Sequence, residues 1–171
     1  MTLAMGVTMA NNPGMTIDQI VDYARLAERL GYESFWLTED NIRDVFVVHG
    51  SDGLDEISNT GESHIAEVRE GTVRAYTVRP EDFGVPRASI AELRGGDRGD
   101  NAEIIRAILD GQPGPRRDIV LMNAAGALVA SSHARDFKEG VAIAAESIDS
   151  GAARKKLEGL IALSQRLAHE K

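Results

Sequence analysis

The sequence predicts an α/β protein: a strand–helix–strand unit in front, a β-hairpin after it, then several helices packed on the sheet. Three patterns predict this. Short runs of β-branched and aromatic residues fill the chain before Pro80. Two of those runs are separated by Glu70-Gly71 alone. From Ser89 onward, apolar residues recur at helical spacing between Gly and Pro breaks.

The elements follow in order. Leu3 to Ala10 reads as a strand, and Asn12-Pro13-Gly14 as a turn. Thr16, with Gln19 three residues on, opens a helix that carries Ile17, Ile20, Val21, Ala24, Ala27 and Leu30. Gly31 ends it. Glu33 to Thr38 is a second strand and Val45 to Val48 a third, closing at His49-Gly50. The first three strands are expected in one mixed or parallel sheet. Glu62 to Arg69 and Thr72 to Val78 form the hairpin, because Gly71 accepts the positive φ of a tight turn.

Behind the hairpin, Ser89 to Leu93 is a short helix. Asp100 with Glu103 reads as the cap of the next, which stops in Gly111-Gln112-Pro113-Gly114-Pro115. Arg117 to Ser131 is apolar on most sides and is expected to be buried. Asp136 and Glu139 cap a helix to about Ser150. After Gly151, Ala152 to Ala168 is amphipathic, with Leu157, Leu160, Ile161, Ser164 and Leu167 on one face.

Composition narrows the function. With 19 Lys and Arg against 27 Asp and Glu, the net charge is -8, so nucleic acid is not an expected partner. No run approaches the ~20 apolar residues that span a bilayer, and no secretory leader pattern is visible. Cys is absent, which excludes disulfides, thiolate metal sites and a Cys nucleophile, and fits a cytoplasmic location.

Four stretches carry a family resemblance: VVHGSDGLDEIS (Val47 to Ser58), RPEDFGV (Arg79 to Val85), LRGGDRGDNAEIIRAILDGQPGPRRDIVLMNAAGALV (Leu93 to Val129) and KEGVAIAAESIDSGAARKKLEGL (Lys138 to Leu160). In this order, residues 45–171 resemble the C-terminal α/β part of anthranilate phosphoribosyltransferase. Residues 1–44 carry GVTMANNPGMTIDQIVDYARLAERLGYESFWLTEDNIRD, which resembles the start of a luciferase-like, flavin- or deazaflavin-dependent monooxygenase. That family is a (β/α)₈ barrel, and two of its strands cannot close one. The chain therefore reads as a fusion of two fragments joined near Asp44 to Val48.

The first resemblance implies transfer of a ribose 5-phosphate unit from phosphoribosyl pyrophosphate to anthranilate, a step of tryptophan biosynthesis, with Mg²⁺ as cofactor. It implies Asp55 and Glu56 of GLDEIS as metal ligands; on spacing alone the pair reads as a solvated acidic turn. His49, with Gly50 in the VVHG turn, either contacts substrate or caps the strand end. No catalytic residue is assigned. Asn123 reads as a satisfied buried amide joining helices, with a ligand role as the alternative, and Arg116 and Arg117 as solvated charges. Gly95-Gly96-Asp97 reads as a turn, because the family's phosphate cradle is GTGGD and that string is absent.

Three functions are expected, the first favoured by the resemblance and the second by mechanism for the isolated chain. The chain is a phosphoribosyltransferase relative that is inactive alone, since the cradle and the helical domain are missing. Alternatively, it is a non-catalytic fusion that folds, binds Mg²⁺ or self-associates as a homo-oligomer. Flavin- or deazaflavin-dependent oxidoreduction, drawn from the front segment, is the weakest.

Overall fold

The computed structural model describes residues 6–10, 34–38, 44–69 and 72–169. Five strands come first: β1 Gly6–Ala10, β2 Ser34–Thr38, β3 Asp44–Gly50, β4 Ser63–Arg69 and β5 Thr72–Val78. A 3₁₀ turn at Pro80–Phe83 leads to five helices: α1 Ile90–Leu93, α2 Arg98–Leu109, α3 Pro115–Ala130, α4 Phe137–Asp149 and α5 Ala152–His169. The α/β class expected from sequence is the class observed. The expected helix at Thr16 to Leu30 lies outside the described residues.

The strands do not make the single sheet expected from sequence. β1 and β2 pair in parallel, with Gly6 opposite Ser34 and Ala10 opposite Thr38. β3 belongs to a separate antiparallel sheet of order β3-β4-β5. β1 approaches β3, yet no ladder joins them. Residues 51–62 fold back so that the Ser51 N–H donates to the Glu62 carbonyl at 2.9 Å. That brings Gly50 opposite Ser63 and gives β3 its partner. The hairpin is as expected, with Arg69 opposite Thr72.

β4 shows why one face of this sheet is covered. Ser63, Ile65 and Val68 are buried while His64 and Arg69 are exposed, following the two-residue period of a strand broken once between Ile65 and Val68. The buried side packs with Ile57, Phe83, Val85, Met122 and Ala125. Phe137, from the start of α4, stacks on Phe83 at 4.5 Å and meets the edge of Phe46 at 6.2 Å. A second cluster of Leu121, Ala144 and Ile148 joins α3 to α4.

The helix starts repeat local sequence chemistry. Asp136 accepts the Glu139 N–H at 2.9 Å and opens α4, as expected. α2 starts three residues earlier than expected. Asp97 accepts the Asp100 N–H and Asp100 accepts the Asp97 N–H, both at 3.0 Å, so the box is Asp97/Asp100 rather than Asp100/Glu103. Gly95-Gly96 is thus the turn feeding the helix. Pro115 does not end a helix but begins α3 at a position where its missing N–H leaves no bond unmade.

Candidate functional site

The acidic loop follows β3 directly. His49 stands opposite His64 in the ladder and is half-buried. Gly50 is buried at the point where the loop crosses its own backbone. A Cβ there would lie 2.5 Å from Asp52 Oδ1 and 3.1 Å from Ser58 Cβ, so a larger residue would push on the Asp52 carboxylate that braces the loop. The Gly50 N–H donates to the Leu54 carbonyl and the Gly53 N–H to the Gly50 carbonyl, each at 2.9 Å.

Asp52 organises the inside of the loop. Its Oδ1 accepts the Leu54 N–H at 3.1 Å. Its Oδ2 accepts the Ser58 hydroxyl at 2.5 Å and the Thr60 hydroxyl as well. Burial works against its ionisation, but these donors outweigh burial and hold the carboxyl below its ordinary value. No local pattern around Asp52 reveals this, because the hydroxyl donors come six and eight residues later.

Asp55 is exposed and Glu56 is half-buried beside it. Burial first, then the charges of Asp55 and Asp52, push the Glu56 carboxyl above its usual value. With Asp52 committed to its hydroxyls, Asp55 and Glu56 are the carboxylates left to face a cation. Among the described residues no three His, Asp or Glu side chains converge as a metal cage. What the loop offers a cation is two carboxylate side chains, and oxygen ligands of this kind suit hard ions such as Mg²⁺.

The loop's far end is fastened to α3. Asn123 accepts the Ile57 N–H at 2.9 Å and donates to the Ile57 carbonyl at 2.8 Å, and also donates to Ile119 on its own helix at 2.9 Å. Asn123 is thus a satisfied amide, as expected, but it joins helix to loop rather than helix to helix. The Ser58 N–H donates to the Ser63 hydroxyl at 2.9 Å. Asn59, fully buried, donates to the Pro115 carbonyl at 2.8 Å, and its Oδ1 has no hydrogen-bond partner among the described residues.

Arg116 and Arg117 are not solvated charges. Arg116 donates to the Glu92 carbonyl at 3.1 Å and the Arg94 carbonyl at 2.6 Å. Arg117 is nearly enclosed and holds the Gly111 carbonyl at 2.9 Å and Asp149 at 2.8 Å. Their partners lie up to 32 residues away, beyond any local pattern. A groove of about 710 Å³ runs along α2, lined by Arg94, Gly95, Gly96, Ile104, Ile108 and Arg116 among others, and shares no residue with the acidic loop.

Residues 34–154 match the family described as glycosyl transferase family, a/b domain. The anthranilate phosphoribosyltransferase of Rhodopseudomonas palustris (strain HaA2) is 49% identical over 141 residues, which are 82% of this chain and 39% of that protein. That of Anaeromyxobacter sp. (strain K) is 59% identical over 117 residues, 68% of this chain and 34% of that protein. Among solved structures, the anthranilate phosphoribosyltransferase of Thermus thermophilus superimposes with a TM-score of 0.64 at 34% identity, covering 86% of this chain and 40% of that one. The Saccharomyces cerevisiae enzyme in complex with 4-fluoroanthranilate does so with a TM-score of 0.64 at 27% identity, covering 84% and 39%. A variant of the yeast protein, at 27% identity and a TM-score of 0.63, has Mg bound. The chain thus spans about two fifths of the length of the first of these relatives.

Proposed function

Because the chain belongs to the glycosyl transferase family through its a/b domain, we propose that it carries the magnesium and pyrophosphate loop of an anthranilate phosphoribosyltransferase-like protein. The observation that carries this reading is the acidic loop. Asp55 and Glu56 stand side by side after a strand and a glycine crossing, with Glu56 pushed toward its neutral form by burial and its acidic neighbours. A divalent cation would relieve that repulsion. Asp55 and Glu56 are the proposed ligands, and His49 and Gly50 the substrate-side residues. When bound, Mg²⁺ would offset the negative charge that develops on the leaving pyrophosphate. The chain's own part is to hold the two carboxylates on a stiff loop.

Phosphoribosyl pyrophosphate and anthranilate are the proposed substrates of the longer relatives' kind of site, but this chain alone is proposed to be inactive. Orienting sugar carbon and attacking amine together can lower a barrier by about 7–11 kcal/mol. The GTGGD cradle associated with that task is absent from the sequence. The test is the purified chain with phosphoribosyl pyrophosphate, Mg²⁺ and anthranilate, following anthranilate fluorescence. No turnover is expected. Turnover lost in an Asp55→Asn, Glu56→Gln double variant would overturn the inactivity and keep the site.

A second reading concerns residues 1–44, proposed as a fragment of a luciferase-like monooxygenase. The parallel pairing of β1 with β2 supports it, while the glycosyl transferase match begins within that segment, at residue 34. Titration with a flavin and a deazaflavin tests whether any cofactor affinity accompanies the resemblance. Binding by the whole chain that deletion of residues 1–44 abolishes would support it.

A further inference from the structure

α3 holds the acidic loop at two residues, Asn59 through the Pro115 carbonyl at 2.8 Å and Ile57 through Asn123. Ile57 directly follows Glu56, and both of its backbone hydrogen-bonding groups are taken by the Asn123 amide, one at 2.9 Å and one at 2.8 Å. One turn further along α3, a Cβ on Gly126 would lie 2.9 Å from Ile57 Cδ1. The helix thus offers a polar clamp for the Ile57 backbone and a notch for its side chain. Ile57 itself is 2% exposed. Asp52, by contrast, braces the loop only from within, through Leu54, Ser58 and Thr60.

We infer that Asn123 and Gly126 are positioning residues for the Asp55–Glu56 pair, setting the carboxylates through Ile57. This rests on the metal reading above. A half-buried amide that satisfies both groups of one peptide residue fixes the chain in position and direction there. The residue before it cannot then swing its carboxylate freely. Groups that orient ligands without touching the metal typically govern affinity by about 10–100-fold.

The test uses the whole chain and Mn²⁺, a spectroscopically visible stand-in for Mg²⁺. Amide hydrogen exchange is followed at Leu54, Ser58 and Thr60, whose own acceptors no variant touches. Mn²⁺ affinity is read by electron paramagnetic resonance. In Asn123→Ala, exchange at those three amides should rise roughly tenfold against unchanged exchange in the β4–β5 hairpin, and Mn²⁺ should bind about tenfold or more weakly. Gly126→Ala, which leaves the amide but crowds Ile57, should shift both readouts the same way and decides the matter if Asn123→Ala does not fold. Ile148→Val, in the other core cluster, should lower the melting temperature and leave Mn²⁺ affinity unchanged. Mn²⁺ binding that persists undiminished in folded Asn123 and Gly126 variants overturns the inference and spares the metal reading. No Mn²⁺ binding by the unsubstituted chain sinks the metal reading itself.

Discussion

Gly140 of α4 lies against Ala125 of α3 so closely that a Cβ on Gly140 would stand 2.8 Å from both Ala125 Cα and Ala125 Cβ. The obstacle is backbone, which cannot move aside as a side-chain tip can. Ala125 is fully buried, so the two helices meet there without slack.

Gly140→Ala is therefore expected to destabilise the fold. Overpacking costs typically about 1–3 kcal/mol, against about 1 kcal/mol gained by replacing a mid-helix glycine. The net loss should lower the melting temperature by a few degrees, at roughly 2–4 °C per kcal/mol for a chain of this size. A raised melting temperature in thermal circular dichroism would show that α3 and α4 are further apart.

Glu56→Gln should stabilise the protein at neutral pH. The Glu56 carboxyl is raised from its ordinary value of 4.5 by burial and by Asp55 and Asp52. Between that value and its higher folded one, the folded state binds the extra proton, so stability falls as pH rises. The ionised form is thus a burden at pH 7. Denaturant titrations should show the gain at pH 7 and its disappearance below about pH 4.

Asp52→Ala should do the reverse. This carboxyl is lowered from 3.8: burial opposes the shift, and the Ser58, Thr60 and Leu54 donors prevail. Its contribution is present above the ordinary value and is lost as pH falls through the lower folded one. The variant is expected to lose about 1 kcal/mol at pH 7. The deficit should shrink below about pH 3.8. A deficit independent of pH would point to packing rather than to the charge.

Self-association is expected through α5. Leu160 is 62% exposed and Leu167 51%, with Ile161 between them at 44%. Water-exposed apolar stripes of this kind favour association. Leu160→Glu with Leu167→Glu should move the chain toward a concentration-independent monomer in analytical ultracentrifugation. Identical sedimentation of both forms at all concentrations would exclude this helix as the contact.

What was legible in the sequence was local. The cap Asp136–Glu139 spans three residues, and the hairpin needs only its two-residue link, so neighbouring side chains settle both. Asp97 shows the limit of that logic. Asp97, Asp100 and Glu103 recur every three residues, and the preceding glycines decide which pair caps α2. The apolar stripe of α5 announced a face but not what meets it. The antiparallel partner of β3 was not local either: it is delivered by the fold-back of residues 51–62, which Asp52, Ser58 and Thr60 brace together. The acidic pair was visible through its motif. Its fastening was not, because Asn123 stands 66 residues from Ile57.

That separation also orders events in time. Ribosomes add about 5–20 residues per second, so the 66 residues from Ile57 to Asn123 take roughly 3–13 seconds to synthesise. Once Val78 is made, β3, β4 and β5 exist and can pair, while the carboxylates at 55 and 56 still have no helix to hold them. The loop is finished only when α3 arrives, so a helix made well after the loop sets the pair proposed to hold the metal.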